Sequence, residues 1–322
     1  TELQAVNYDT FSSATILQTV AVIIRGDCRK KTILSLPKDE VINTWPKAVS
    51  AIHACVDYFR NYYRIPVSRL LPYPALVITF AYFFYKHPDK PTGDRQKFMQ
   101  DYFWRVSLGG RYSQSLETRI AQDIVKIDGI LQNKLPIYDW AIDASPGFIR
   151  DEGYFSTSRS FVKAILCVLA HKEPKSFVDN SIVRLDNAFL KQANSKNYHH
   201  FFPKSWLEKR GEDPSRINHV ANITLVDDFL NKRLIKAKSP KTYMKEFIRK
   251  NSEIEKCLST HLIKLNATFG VMTDEYGKFF DARCRAISRE LSKQIIWQEI
   301  DQVGTAKSAQ ETVVEQEDWL AT

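Results

Sequence analysis

Apolar residues recur every three or four positions through most of this chain, the spacing of one buried helix face after another. Ile16, Leu17, Val20 and Ile24 suit one buried stripe, and Trp45, Val49, Ile52, Val56 and Phe59 a second. The run "LLPYPALVITFAYFFYK", Leu70 to Lys86, is too short and too proline-interrupted to span a membrane. It predicts a buried helix starting near Pro74 or Ala75. Leu116, Ile120, Ile124, Ile127 and Leu131 form another stripe, and Phe161, Ile165 and Leu169 a further one with Ser158 as its N-cap. Breaker-rich loops fall between them, at His87 to Asp94 and Asp143 to Gly153.

After "HKEPKSFVDN" the pattern shortens. "SIVRL", "HHFF" and "NITLV" are β-branched or aromatic and read as short strands. Helical spacing then returns with Tyr243, Phe247, Ile254, Leu258 and Leu262, and again with Phe280, Ile287, Leu291 and Ile295. The expected fold is therefore mainly α, with a helical domain over 1–180, a second domain over 181–300 and an acidic, flexible tail over 301–322.

Composition agrees with a folded, helix-rich protein: 44% of the 322 residues are hydrophobic, 12% aromatic, and glycine is scarce. The five cysteines are scattered and never form C-x-x-C, which predicts reduced thiols in a cytoplasmic protein and no structural zinc. No signal peptide is visible, and the missing initiator methionine reads as a mature form or a fragment of something longer. P-loop, G-x-G-x-x-G and H-E-x-x-H motifs are absent.

Charge sharpens the second domain. Of the net +9, the segment Lys191 to Lys256 carries 15 Lys/Arg against 8 Asp/Glu. A basic excess confined to one region suits a polyanion partner. The same segment sets polar residues into apolar runs: His199 and His200 open "HHFFP", Asn222 sits in "VANITLV", and Asn231 follows nine residues later. An asparagine inside an apolar strand needs its amide hydrogen-bonded. His219 reads as incidental, and His53 and His261 have no visible partners. Arg105 and Arg111, beside Gly109 and Gly110 in "FWRVSLGGRYS", read as scaffolding around a turn, with phosphate contact the other possibility. Arg285, Arg289 and Lys293 read as a solvated helix face.

"YHHFFPKSWL", "INHVANITLVDDFLNKRL" and "KSPKTYM", in that order, resemble the HNH (ββα-metal) nuclease domain at the C-terminus of GmrSD-type restriction proteins. "LPYPALVITFAYFF" and "FWRVSLGGRYSQSLETRIAQD" resemble the helical middle of the same proteins, so that the likeness covers residues 30 to 250. It implies a small ββα-metal domain packed among helices, and a divalent-metal-dependent DNA endonuclease that nicks or cuts. The setting implied is prokaryotic restriction of phage or modified DNA, of the GmrSD type or the phosphorothioate-sensing Ssp type. Carried over residue by residue, it makes His200 the general base, Asn222 the residue that orients it, and His199 and Asn231 the ligands of Mg2+ or Mn2+. Lys204, Lys232, Arg233, Lys236, Lys238 and Lys241 would hold DNA phosphates. The family's N-terminal nucleotide-binding signature is missing, which places any sensor domain outside this chain.

The chemistry is coherent on its own terms. A neutral imidazole accepts a proton from water at neutral pH, and a divalent ion neutralises charge developing on phosphate. Two features depart from expectation. His199 stands where the family usually has an acidic residue, so a catalytically degenerate HNH-like module that binds nucleic acid or a partner is the alternative. Adjacent strand residues also point to opposite faces, so His199 and His200 reach one phosphate only if the chain bends there.

Overall fold

The computed structural model describes residues 2–185, 198–226, 235 and 237–301. It is mainly helical, as the periodicity requires, and its strands form one two-stranded sheet. The described residues divide into two compact units, one within 1–141 with 294–296 and the other within 142–293 with 297–301. Sequence placed the boundary near 180; the division falls at 141/142 because the helices Pro146–Glu152 and Ser160–His171 pack on the helix Tyr276–Ser292. Among the described residues no helix is long and apolar enough to cross a membrane.

In the first unit, the helix Leu76–Lys86 is buried from Leu76 to Phe84, and so is apolar on every face. The helices Ser13–Arg25, Lys38–Asn61 and Leu116–Leu131 surround it. Ile52, Val56 and Phe59 are buried as the stripe predicted, and Phe59 meets Phe80 with ring centroids 4.9 Å apart. Leu17 and Trp45 depart from expectation at 47% and 44% exposed. The buried stretch of the first of these helices runs from Thr19 to Ile23 instead.

The turn after Gly93–Leu108 explains "FWRVSLGGRYS". Arg105 lies 3.1 Å from Asp101, and its Nη2 donates to the Ile296 carbonyl at 2.7 Å. Arg111 donates to Asp123 at 2.8 Å, and Tyr102 joins the same carboxylate at 3.3 Å. The Trp140 ring lies over Arg111, 4.0 Å from the guanidinium carbon. A Cβ on Gly109 would stand 2.6 Å from that ring, so only glycine admits the contact. Both arginines are scaffold.

In the second unit, the strands β1 (Tyr198–His200) and β2 (Ile223–Leu225) run antiparallel, pairing Tyr198 with Leu225, His199 with Thr224 and His200 with Ile223. "SIVRL" is no strand; it makes a single bridge, Lys175 to Ile182. The helix expected from Ser158 begins at Ser160, because the Ser158 hydroxyl pairs with Ser156 and caps nothing. The stripe from Tyr243 to Leu262 breaks at Asn251 into Pro240–Lys250 and Ile254–Thr260. The Asn251 amide explains the break, since it accepts from the Glu253 N–H and donates to the Phe177 carbonyl. All five cysteines are buried free thiols. The predicted tail beyond 301 lies outside the described residues.

Candidate active site

The short strand β1 ends where the ladder is handed from backbone to side chain. Phe201 N–H donates to the Asn222 carbonyl at 2.8 Å, and Phe202 N–H donates to the Asn222 side-chain Oδ1 at 2.9 Å. Asn222 Nδ2 returns hydrogen bonds to the carbonyls of Phe202 and Ile217, both at 3.1 Å. The residue is wholly buried. An asparagine there is satisfied only because its amide substitutes for missing ladder bonds. Asn222 thus fixes the bend at Phe201 and Phe202, and among the described residues its side chain makes no hydrogen bond to an imidazole. Tyr243 adds a second clamp, its hydroxyl donating to the Phe201 carbonyl at 2.5 Å.

His200 is half-buried, with Nε2 3.2 Å from Asn218 Oδ1. The amide of Asn218 is oriented by its other end, which donates to the Phe155 carbonyl at 3.3 Å. Its oxygen therefore accepts from His200 Nε2–H, which leaves the lone pair on Nδ1. Burial lowers the His200 pKa below its usual value; Asn218 and Glu208 pull it up and Lys204 pushes it further down. A neutral ring held in one tautomer is the state a general base needs. Asn218, not Asn222, is the residue that holds the His200 ring. Its signal was faint: one polar residue between Ile217 and His219 in a segment already crowded with candidates.

His199 takes the other face of β1 and is 2% exposed. Its Nδ1 lies 3.2 Å from Thr224 Oγ1, and that hydroxyl donates to the His199 carbonyl at 3.3 Å. The hydroxyl proton is thereby used, so Nδ1–H is the donor and the lone pair sits on Nε2. Burial, reinforced by the charges of His200 and His261, pushes the ring's pKa down to about 3. His261, also buried, donates from Nε2 to the Lys175 carbonyl at 2.7 Å and is pushed down to about 4 by desolvation.

His219 is not incidental. Its Nε2 donates to the Ile149 carbonyl at 3.1 Å, and its Nδ1 accepts the Ala221 N–H at 3.0 Å. Both ring nitrogens are used within the fold. A Cβ on Gly153 would stand 2.3 Å from this ring, so the close approach of the two segments requires glycine.

The expected constellation is therefore only partly assembled. No bend brings His199 to the His200 side, because the ladder stays in regular register through both residues. Asn231 lies outside the described residues, as do Lys232, Arg233 and Lys236. Among the described residues no group of three or more His, Cys, Asp or Glu could hold a metal ion. A divalent ion shared by His199 and the His200 face does not fit this arrangement. Of the expected phosphate contacts, Lys204 lies 3.7 Å from Glu208 and Lys238 lies 2.7 Å from Glu246, while Lys241 is exposed. Exposed pairs of this kind hold weakly and exchange readily for phosphate.

No protein-family model matches the chain. Over 187 residues, 56% of its length, it is 28% identical to an uncharacterised protein of Methanocaldococcus jannaschii. The chain spans 30% of that relative's own length.

Proposed function

We propose that the second unit is the catalytic part of a DNA endonuclease of the HNH type, with β1 and β2 as its two strands. Its setting would be GmrSD-type or Ssp-type restriction of phage or modified DNA in the cytoplasm. The observation that carries this reading is the Asn218–His200 pair, a half-buried neutral imidazole with one nitrogen held and the other left as a base. In this reading His200 Nδ1 takes the proton of the attacking water, and Asn218 keeps the ring in the required tautomer. Asn222 holds the turn that carries the base. Lys204, Lys238 and Lys241 supply phosphate contacts that position the strand without reading its sequence. Lys232, Arg233, Lys236 and the ligand Asn231 join the proposal through the resemblance. Dependence on Mg2+ or Mn2+ enters in the same way, since the described residues do not build the ion's site.

One observation favours the second reading, a nucleic-acid- or partner-binding module without catalysis: His199 faces away from His200. Supercoiled plasmid incubated with magnesium or manganese separates the two. The endonuclease reading expects nicked or linear product, abolished by EDTA and by His200→Ala. Salt-sensitive DNA binding without any cleavage by the parent protein would replace it with the module.

A further inference from the structure

The helix Pro240–Lys250 is pinned by its buried side to the end of β1. Tyr243, Met244 and Phe247 are buried, and the Tyr243 hydroxyl donates to the carbonyl of Phe201, the residue after His200. The opposite side carries Lys241, Lys245 and Arg249, all exposed. Residues four apart lie one above another on a helix, about 6 Å along its axis. The three cations therefore form one row about 12 Å long.

This row lacks the carboxylates that neutralise lysines elsewhere in the unit. Lys256, Lys278 and Lys293 each meet a glutamate three residues earlier, at 2.5, 3.0 and 2.7 Å. Among the described residues Lys241, Lys245 and Arg249 enter no such pair. The carboxylate of the helix itself, Glu246, is held by Lys238 at 2.7 Å, and Arg249 and Lys250 act on it only through their charge. Asp274 is engaged as well, accepting the Lys241 backbone N–H at 2.8 Å. Like charges four residues apart on a helix repel. Lys241, in the first turn, also opposes the helix dipole, which favours an acid there. The row works against the helix that carries it, and a polyanion laid along it would offset that repulsion.

The burial of the other side selects the polyanion. A lipid surface takes a basic amphipathic helix through its apolar face, and here that face is already packed in the core. A DNA strand carries one charge about every 3.4 Å of its axis, so a row of this length meets about three phosphates.

We propose that Lys241, Lys245 and Arg249 form a backbone-binding row that holds one strand of duplex DNA along the outer face of this helix. Lys245 and Arg249 thereby extend the contacts given above to Lys238 and Lys241, and they position the strand without reading its sequence. The choice of DNA rests on the nuclease reading; the charged row does not.

The test is fluorescence anisotropy of a labelled DNA duplex titrated with the full chain at several potassium chloride concentrations. Each phosphate contact contributes about 0.9 to the slope of log affinity against log salt. Replacing all three cations (Lys241→Gln, Lys245→Gln and Arg249→Gln) should reduce that slope by about three and weaken binding at least about 10-fold. The triple variant should melt at or above the parent, because exposed charges that repel have been removed. Lys245→Gln alone should reduce the slope by about one, and it decides the matter if the triple variant does not fold. A control with Lys256→Gln, Lys278→Gln and Lys293→Gln removes the same charge from paired positions and should change the slope by less than about one. A parent that does not bind duplex, variants that keep the parent slope, or a control that loses as much as the triple variant overturns the row. Sedimentation with equimolar phosphatidylserine–phosphatidylcholine vesicles gives the remaining outcome. Pelleting of the parent but not of the triple variant, with equal duplex slopes, would assign the face to a membrane and overturn DNA. Binding is read without cleavage, so a parent that binds but does not cut plasmid loses the endonuclease and keeps the row. A parent that cuts while the triple variant keeps the full slope loses the row alone.

Discussion

Asn218 Oδ1 accepts the Nε2–H of His200 at 3.2 Å, and its own Nδ2 is fixed on the Phe155 carbonyl. The imidazole therefore has one tautomer, with Nδ1 free. Burial already keeps His200 below its ordinary pKa, so the base form persists somewhat below pH 6.5; in the proposed endonuclease, cleavage should fall only as pH drops through that lowered value. Replacing the amide with a carboxylate, Asn218→Asp, stabilises the imidazolium and should move the acid limb of the pH–rate profile to higher pH. Asn218→Ala should cut kcat roughly 10- to 100-fold, and His200→Ala roughly 10²- to 10⁴-fold. An acid limb at the same pH in Asn218→Asp would remove Asn218 from the working base.

Asn222 uses one acceptor and two donors inside the fold. Asn222→Ala leaves the Phe202 N–H and two carbonyls buried and unpaired, which should cost about 2–4 kcal/mol. Asn222→Asp keeps the shape and the acceptor for the Phe202 N–H, but it aims its other carboxylate oxygen at the two carbonyl oxygens that Nδ2 now serves, so it should cost at least as much. Urea unfolding measures both through the midpoint. An Asn222→Asp protein within about 0.5 kcal/mol of the parent would mean that the amide does not hold this turn.

The difference between these two asparagines shows where sequence was informative. Asn222 stood out because a polar residue in "VANITLV" contradicts its apolar surroundings, and the structure supplies three bonds in explanation. Asn218 had no such contrast, because its role depends on Phe155, more than sixty residues earlier, turning the amide toward His200. Helical stripes such as Ile52, Val56 and Phe59 were legible because periodicity alone decides them. Trp45 was misjudged because periodicity marks a face without saying how far along the helix a partner extends. The role of His219 was not legible for a related reason: its partners Ile149 and Gly153 come from segments remote in sequence.

The buried histidines set an acid limit on folding. His199 is held near 3, and His219 and His261 near 4, in each case chiefly by desolvation. In the unfolded chain the same rings titrate near 6.5. Between those values the unfolded state binds more protons than the folded one, so stability rises with pH across the window and is lost as pH falls below about 6.5. Each ring costs up to about 2 kcal/mol by pH 5. His261→Phe would remove one titrating ring and should flatten the slope of stability against pH between about 4.5 and 6.5. Thermal melting across that range checks it, and an unchanged slope would mean that His261 does not contribute.

Arg111 and Asp123 carry the last prediction, in the first unit. The carboxylate is fully buried, and desolvation raises its pKa even though Arg111 lowers it. Asp123→Asn keeps the volume but leaves Arg111 with its charge uncompensated, since its remaining carboxylate, Asp139 at 3.5 Å, is largely exposed. The loss should be about 3–5 kcal/mol. Replacing both, Arg111→Met with Asp123→Leu, removes the buried charges together and should cost less than the sum of the single changes. DNA binding separates this scaffold role from phosphate contact. At a temperature where the single variant Arg111→Met is folded, its duplex affinity and the slope of that affinity against salt should match the parent. A phosphate contact would instead reduce the slope by about one. That reduction would return Arg111 to the nucleic-acid surface and take it out of the core.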